Sequence, residues 1–179
     1  MILLIGVAGS GKSTQGKMLA DQKGYAWLST GEILRVLITG SRRQEMLQGK
    51  LLTDEEVINV VDKVLELIDP NDEFVLDGFP RTLKQLDWLL KQEKSGRFSR
   101  ILVFHLTASE KVVHDRLRQR GRLDDSEEAI AKRFDEYRAL TLPIIQKLKQ
   151  AGTTVVEIDA GNNPEDIHKQ IMKQINGPR

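Results

Sequence analysis

The chain of 179 residues has no cysteine, few aromatic residues and no excess of either charge, with 27 Lys plus Arg against 26 Asp plus Glu. Each shortage excludes something. Without cysteine there is no disulfide framework, no thiolate nucleophile and no Cys-based zinc or iron–sulfur site, which fits a reducing compartment. A net charge of +1 speaks against general nucleic-acid binding, which needs a basic domain or stripe to neutralise phosphates. No stretch approaches the roughly 18 apolar residues of a membrane span. The apolar start, Met1 to Ala8, lacks the basic leader of a signal peptide and is soon interrupted by glycines and a lysine. The sequence therefore reads as a soluble cytoplasmic protein. Its length is that of one globular domain, able to bury about 70% of the surface of its unfolded form without staples.

Short apolar runs alternate with longer helical patterns, the signature of parallel strands joined by crossover helices. The expected strands are Ile2 to Ile5, Ala26 to Leu28, Glu73 to Leu76, Arg100 to Leu106 and Thr153 to Ile158. Ser29 and Thr53 each have a glutamate three residues on, Glu32 and Glu56, which is capping-box spacing. Asn163-Pro164-Glu165-Asp166 opens the last helix, with Pro in the first turn and acids facing the helix dipole. The fold class expected is α/β, a five-stranded parallel sheet flanked by helices. Two stretches break the alternation: a helical insertion from about Thr30 to Ile68, interrupted by Gly40 and Gly49, and an arginine-rich segment from Arg116 to Ser126. Insertions of this kind on an open sheet are candidates for substrate arms and lids.

Gly6-Val7-Ala8-Gly9-Ser10-Gly11-Lys12-Ser13 fits G-x-x-x-x-G-K-[ST] between an expected strand and an expected helix. Glycines there let backbone N–H groups close on phosphate oxygens at a helix N-terminus. Lys12 would reach the β- and γ-phosphates, and Ser13 would ligate Mg²⁺. That identifies a nucleotide binder, not what it does to the nucleotide. No Asn-Lys-x-Asp tetrapeptide, associated with reading guanine in GTPases, occurs.

Three further segments follow in order: Leu28-Ser29-Thr30-Gly31-Glu32-Ile33-Leu34-Arg35, then Asp77-Gly78-Phe79-Pro80-Arg81-Thr82 with Gln85, then Asp115-Arg116 to Arg120 and Arg122-Leu123-Asp124-Asp125. With the phosphate loop and its continuation Thr14-Gln15-Gly16, the chain resembles the adenylate kinase family of P-loop nucleoside-monophosphate kinases over nearly its whole length. Charge logic agrees with that resemblance. Transfer between two polyanionic nucleotides needs alignment and charge stabilisation, while an anionic phosphate nucleophile needs no general base. Such a site should hold many arginines and no essential His, Cys or Ser nucleophile. Arg116, Arg118, Arg120 and Arg122 fall close together, with Arg35, Arg81 and Arg133 elsewhere. Arg116 and Arg120 share a helix face, and Arg118 points away as a bystander.

The resemblance implies roles. Gly9, Ser10, Gly11, Lys12, Ser13 and Thr14, with Arg116 and Arg120, would hold ATP and the transferring group, and Arg122 and Arg133 would close from the lid onto the acceptor. Thr30, Arg35, Lys50, Leu51, Leu52, Gly78, Phe79, Pro80, Arg81 and Gln85 would hold AMP, with Arg35 and Arg81 on its phosphate and Thr30 and Gln85 facing adenine. The catalytic set would be Lys12, Arg81, Arg116, Arg120, Arg122 and Arg133. Asp77 would act on Mg²⁺ through water, and Asp124 with Asp125 would do the same, anchor the lid or cap the helix beginning near Ser126. Thr30 and Thr82 lean toward AMP over pyrimidine nucleotides. The implied activity is reversible Mg²⁺-dependent transfer from ATP to AMP by a monomer, one P-loop kinase domain over 1–179 with an acceptor arm near 30–59 and a very short lid near 119–126. Another acceptor (CMP, UMP or dTMP), or nucleotide sensing without turnover, are the alternatives.

The sequence also departs from the family's pattern, which usually has Pro at the Ala8 position and Gly at the Ser13 position. The Gly40 to Gly49 segment is shorter than the family norm, and Arg120-Gly121-Arg122 leaves almost no lid. A reduced lid implies weaker exclusion of water and measurable ATP hydrolysis without acceptor. His105, His114 and His168 lack metal-ligand spacing and read as structural, Trp27 and Trp88 read as packing residues, and Leu142-Pro143 reads as a helix kink.

Overall fold

A computed structural model describes residues 1–47, 52–69, 72–98, 100–121 and 126–176. Five strands, β1 (Ile2–Ile5), β2 (Ala26–Ser29), β3 (Phe74–Asp77), β4 (Leu102–Thr107) and β5 (Thr154–Asp159), form one parallel sheet in the order β2-β3-β1-β4-β5. The strands match the expected runs to within one or two residues. Their sequences are nearly continuous apolar runs because both faces of a parallel sheet are covered.

Alternate side chains serve the two faces. Leu3, Ile5, Phe74, Leu76 and Val103 pack against Val57, Val61 and Leu65 of α4 (Asp54–Leu65), Leu86 and Leu89 of α5 (Leu83–Lys94), and Ile144, Ile145 and Leu148 of α8 (Leu142–Gln150). Ile2, Leu4, Val75, Phe104 and Leu106 face Leu19 of α1 (Lys12–Lys23) and Ile167, Ile171 and Ile175 of α9 (Pro164–Asn176). A third cluster ties Val7 to α6 (Glu110–Arg120) and α7 (Glu127–Glu136) through Val113, Leu117, Ile130 and Phe134. This third cluster sits directly behind the glycine-rich loop.

The insertion after β2 forms α2 (Thr30–Leu37) and α3 (Gly40–Leu47) and then runs into α4. Thr53 caps α4 with the expected box: its hydroxyl accepts from the Glu56 N–H, and the Glu56 carboxylate accepts from the Thr53 N–H at 2.7 Å. Ser29 is a correction. It precedes α2, but its side chain makes no capping hydrogen bond, because Ser29 is still a strand residue paired beside Asp77. Near Leu142-Pro143, a π-type turn over Tyr137–Thr141 joins α7 to α8, with Pro143 in the first turn of α8. After β1 the chain builds β2 and β3 on one side of that strand and β4 and β5 on the other. The crevice at such a switch, beyond the carboxyl ends of the strands, is where open α/β sheets bind ligands.

Candidate active site

A cleft of about 1080 Å³ opens at that switch, lined by the loop after β1, the start of α1, α2, the turn after β3, and α6 and α7. Its floor is the glycine-rich loop. A Cβ at Gly9, where φ is +85°, would lie 2.9 Å from Leu117 Cγ, so only glycine lets the loop sit this close to α6. Ser10 donates its N–H to Val7 O at 3.1 Å, while its fully buried hydroxyl has no partner and does not line the cleft. Gly9, Gly11, Lys12, Ser13 and Thr14 do line it.

Lys12 curls back over the loop, its Nζ donating to Gly6 O and Val7 O, both at 2.8 Å. Its pKa is lowered to about 8, chiefly by burial; Asp77 opposes the shift, and Arg81, Arg120 and Arg133 add to it. The ammonium thus lies where three guanidinium charges are felt at once. Asp77, almost fully buried at the end of β3, accepts a 2.6 Å hydrogen bond from the Ser13 hydroxyl. A carboxylate and a hydroxyl side by side are hard oxygen donors of the kind Mg²⁺ takes, so these two residues fit that ion.

On the other wall, Thr30 is 2% exposed and lines the cleft with a hydroxyl that has no partner. Such an orphan is costly unless a ligand completes it. Arg35 and Arg81 converge over Gly31: a Cβ there would stand 3.5 Å from an Arg35 guanidinium nitrogen and 3.8 Å from one of Arg81. Arg81 is steadied by donating from Nε to Gly78 O at 2.9 Å. Protein surrounds this guanidinium and pushes its pKa down, against the pull of Asp77, although the open cleft leaves its surface reachable by water. Leu52, Gly78, Phe79, Pro80 and Gln85 complete this wall. The Gln85 amide accepts from the Arg81 N–H at 2.7 Å and donates to Asp54 Oδ1 at 2.8 Å.

Arg116 and Arg120 both line the cleft, and Arg116 donates to Asn162 O at 2.9 Å. Arg118 turns away to Glu127, as its place on the opposite helix face requires. Arg133 reaches the cleft from α7 beside Glu136 and Tyr137. Lys50, Leu51, Arg122, Asp124 and Asp125 lie outside the described residues; the Ser126 hydroxyl caps α7 by accepting from the Ala129 N–H.

The three histidines contact protein groups. His105 meets Tyr137, His114 meets Glu127, and His168 meets Gln15 and Gln22. Among the described residues no group of His, Asp and Glu is arranged to hold a metal by itself, and no helix is long and apolar enough to cross a membrane. Trp27 packs against Gly16 and Lys17, and Trp88 packs edge-on to Phe79. Sequence reasoning missed Asp54 and Tyr137, whose roles rest on contacts with residues distant in the chain.

A family model described as adenylate kinase matches residues 4–153. Similar relatives include an adenylate kinase of Corynebacterium urealyticum, 37% identical over 96% of each chain. Two adenylate kinases of Prochlorococcus marinus, strains AS9601 and MIT 9301, are 38% and 35% identical over 97% of each chain.

Proposed function

The chain belongs to the adenylate kinase family, and from that footing we propose how its cleft moves a phosphoryl group from ATP to AMP to give two ADP. ATP binds with its phosphates on the loop from Gly9 to Thr14, where backbone N–H groups, the amino end of α1 and Lys12 offset its charge. Arg116 and Arg120 hold the nucleotide from α6. AMP binds on the opposite wall, its phosphate between Arg35 and Arg81 and its base toward Thr30 and Gln85. Ser13 would hold Mg²⁺ directly and Asp77 through water; bound there, the ion would offset charge on the ATP phosphates.

The observation that carries this reading is that Lys12, Arg35, Arg81, Arg116, Arg120 and Arg133 line one cleft, where Asp77 and three of those arginines act on the Lys12 charge. Cations gathered in one cleft repel one another. They are favourable when several negative charges sit between them, as in a phosphoryl group in flight between two phosphates. The acceptor phosphate oxygen is already a nucleophile, so the site needs no base. The histidines of the described residues are engaged elsewhere, consistent with that economy. Guanidinium forks grip phosphate oxygens in pairs and hold the reacting atoms in line. Residues near 30–59 act as the acceptor arm and residues near 119–126 as the lid. Both walls of the cleft belong to one copy of the chain, which supports action as a monomer, and the cytoplasm is the place proposed for it.

The test is ADP formation by the purified protein with Mg·ATP and each of AMP, GMP, CMP, UMP and dTMP, beside a sample with ATP alone. Fast turnover with AMP is expected, with slow hydrolysis in the ATP-only sample reflecting the short lid. Preference for a different monophosphate would overturn the base assignment, and tight ATP binding without transfer to any of them would overturn the reading as an enzyme.

A further inference from the structure

Gln85 is 4% exposed and lines the acceptor wall of the cleft. Its amide sits between two groups of fixed polarity. The Arg81 N–H can only donate, so the atom 2.7 Å from it is the amide oxygen; the Asp54 carboxylate can only accept, so the atom 2.8 Å from Oδ1 is the amide nitrogen. The same Oδ1 also takes a 2.8 Å hydrogen bond from the Thr82 hydroxyl, and that hydroxyl in turn accepts from the Gln85 N–H at 3.2 Å. A glutamine side chain ordinarily turns over at little cost. Here a turn would set a donor against a donor at one end and an acceptor against an acceptor at the other.

The lock leaves one hydrogen-bonding position at each end of the amide: a carbonyl oxygen accepts two hydrogen bonds and an amide nitrogen gives two. The amide therefore offers an acceptor and a donor in an order that cannot be exchanged. A 6-aminopurine offers a donor at C6 and an acceptor at N1, whereas a 6-oxopurine offers the reverse. With the phosphate held at Arg35 and Arg81 the base cannot turn over to correct a mismatch, so the wrong purine leaves buried polar groups facing their own kind.

We infer that Asp54 determines the acceptor base preference, for 6-amino over 6-oxo purines, by locking the orientation of the Gln85 amide. Asp54 is a positioning residue that acts through Gln85, and the inference rests on the AMP subsite proposed above. It names a discrimination that the wall's shape alone would not give, since adenine and hypoxanthine are nearly the same size. A site built to hydrogen-bond one pattern rejects the reversed one far more strongly than an apolar slot rejects an extra methylene.

The experiment measures kcat and KM for AMP and for IMP, its 6-oxo counterpart, at saturating Mg·ATP, with the unmodified protein, Asp54→Ala and Asp54→Asn. The unmodified protein should favour AMP by roughly a hundredfold in kcat/KM. In Asp54→Ala the amide is held only by the Arg81 N–H and can pivot. The AMP to IMP ratio should fall roughly tenfold or more, mainly through the KM for AMP, with the KM for ATP unchanged. Asp54→Asn keeps the shape of the side chain, but its amide can turn either its oxygen or its nitrogen toward Gln85, so the lock is lost and the ratio should fall here too while the KM for ATP stays unchanged, a result that a merely structural role in starting α4 would not produce. Asp54→Ser, too short to reach Gln85 but well suited to a helix start, replaces the alanine variant if that does not fold. A ratio kept within about twofold in Asp54→Ala or Asp54→Ser, beside a discriminating unmodified protein, overturns the inference and leaves the AMP subsite standing. Equal use of AMP and IMP by the unmodified protein also overturns it. Use of neither overturns the underlying reading instead.

Discussion

Nε2 of His105 lies 2.6 Å from the hydroxyl of Tyr137, and the two rings are stacked with centroids 6.1 Å apart. The pair joins the buried middle of the sheet to the first residue of the π-type turn between α7, which carries Arg133, and α8, which is packed in the core. A π-type turn in a helical segment is a place where the chain can be re-aimed. Here one end of it is pinned.

Burial pushes the His105 pKa down, with Glu157 opposing and Lys149 assisting, and burial pushes the Tyr137 pKa up. Both are neutral in the fold near pH 7. Because the folded His105 pKa lies below its unfolded value, its contribution to stability is fully present above the unfolded pKa, near 6.5, and is lost as the pH falls through the folded value. His168 is also shifted downward by burial, so the comparison must be differential. Thermal unfolding of the unmodified protein and His105→Phe at pH 7.5 and pH 5.5 should show a larger acid loss in the unmodified protein. At pH 7.5 the variant should be less stable by about 1 kcal/mol, the net worth of an ordinary hydrogen bond. Equal acid losses would separate His105 from the acid sensitivity of the fold.

Lys12 gives a second dependence with the opposite position on the pH scale. Burial lowers its pKa in the fold to about 8, from an ordinary value of 10.5. Between those limits the unfolded chain holds the proton that the folded chain has lost, so this group's contribution to stability rises with pH across the window. Urea unfolding at pH 7.5 and 9.5 should show the stability of the unmodified protein rising relative to that of Lys12→Met. The same substitution removes the cation at the phosphate loop, and turnover should fall by roughly a hundredfold or more. Retained turnover in a folded Lys12→Met would take Lys12 out of the phosphate site.

Much of the fold was legible because each β-strand is a short apolar run and several of the helices between them, α2, α4 and α9 above all, carry an apolar face opposite a polar one. The loop from Gly6 to Ser13 was legible because its function resides in one contiguous string between two predictable elements. Helix periodicity alone separated Arg118 from Arg116 and Arg120. Two residues with identical capping spacing, Ser29 and Thr53, behaved differently because only Thr53 is released from strand pairing. Asp54 and Tyr137 escaped notice for a related reason. Their partners lie 31 and 32 residues away in the chain, and no spacing rule connects a helix start to a side chain on the next helix, or a strand histidine to a turn that has not yet been placed.

Gly16 provides the last prediction, because packing there reverses the usual rule. Replacing a glycine inside a helix by alanine ordinarily stabilises by up to about 1 kcal/mol. Gly16 lies within α1 and is buried against Trp27 of β2, and a Cβ there would fall 2.3 Å from the indole Nε1 and 2.4 Å from Cδ1. The indole also carries Lys17 Nζ over its ring at 4.8 Å. It must therefore shift, and Trp27 is followed within three residues by Thr30, which lines the acceptor wall. Gly16→Ala should lower stability by roughly 1–3 kcal/mol, the usual cost of overpacking, and should raise the KM for AMP more than the KM for ATP. Tryptophan fluorescence in a Trp88→Phe background reports the movement of Trp27 directly. A Gly16→Ala protein of unchanged or higher stability, with unaltered Trp27 emission, would mean that α1 and β2 separate freely at this contact and that Trp27 does not hold the start of the acceptor arm in place.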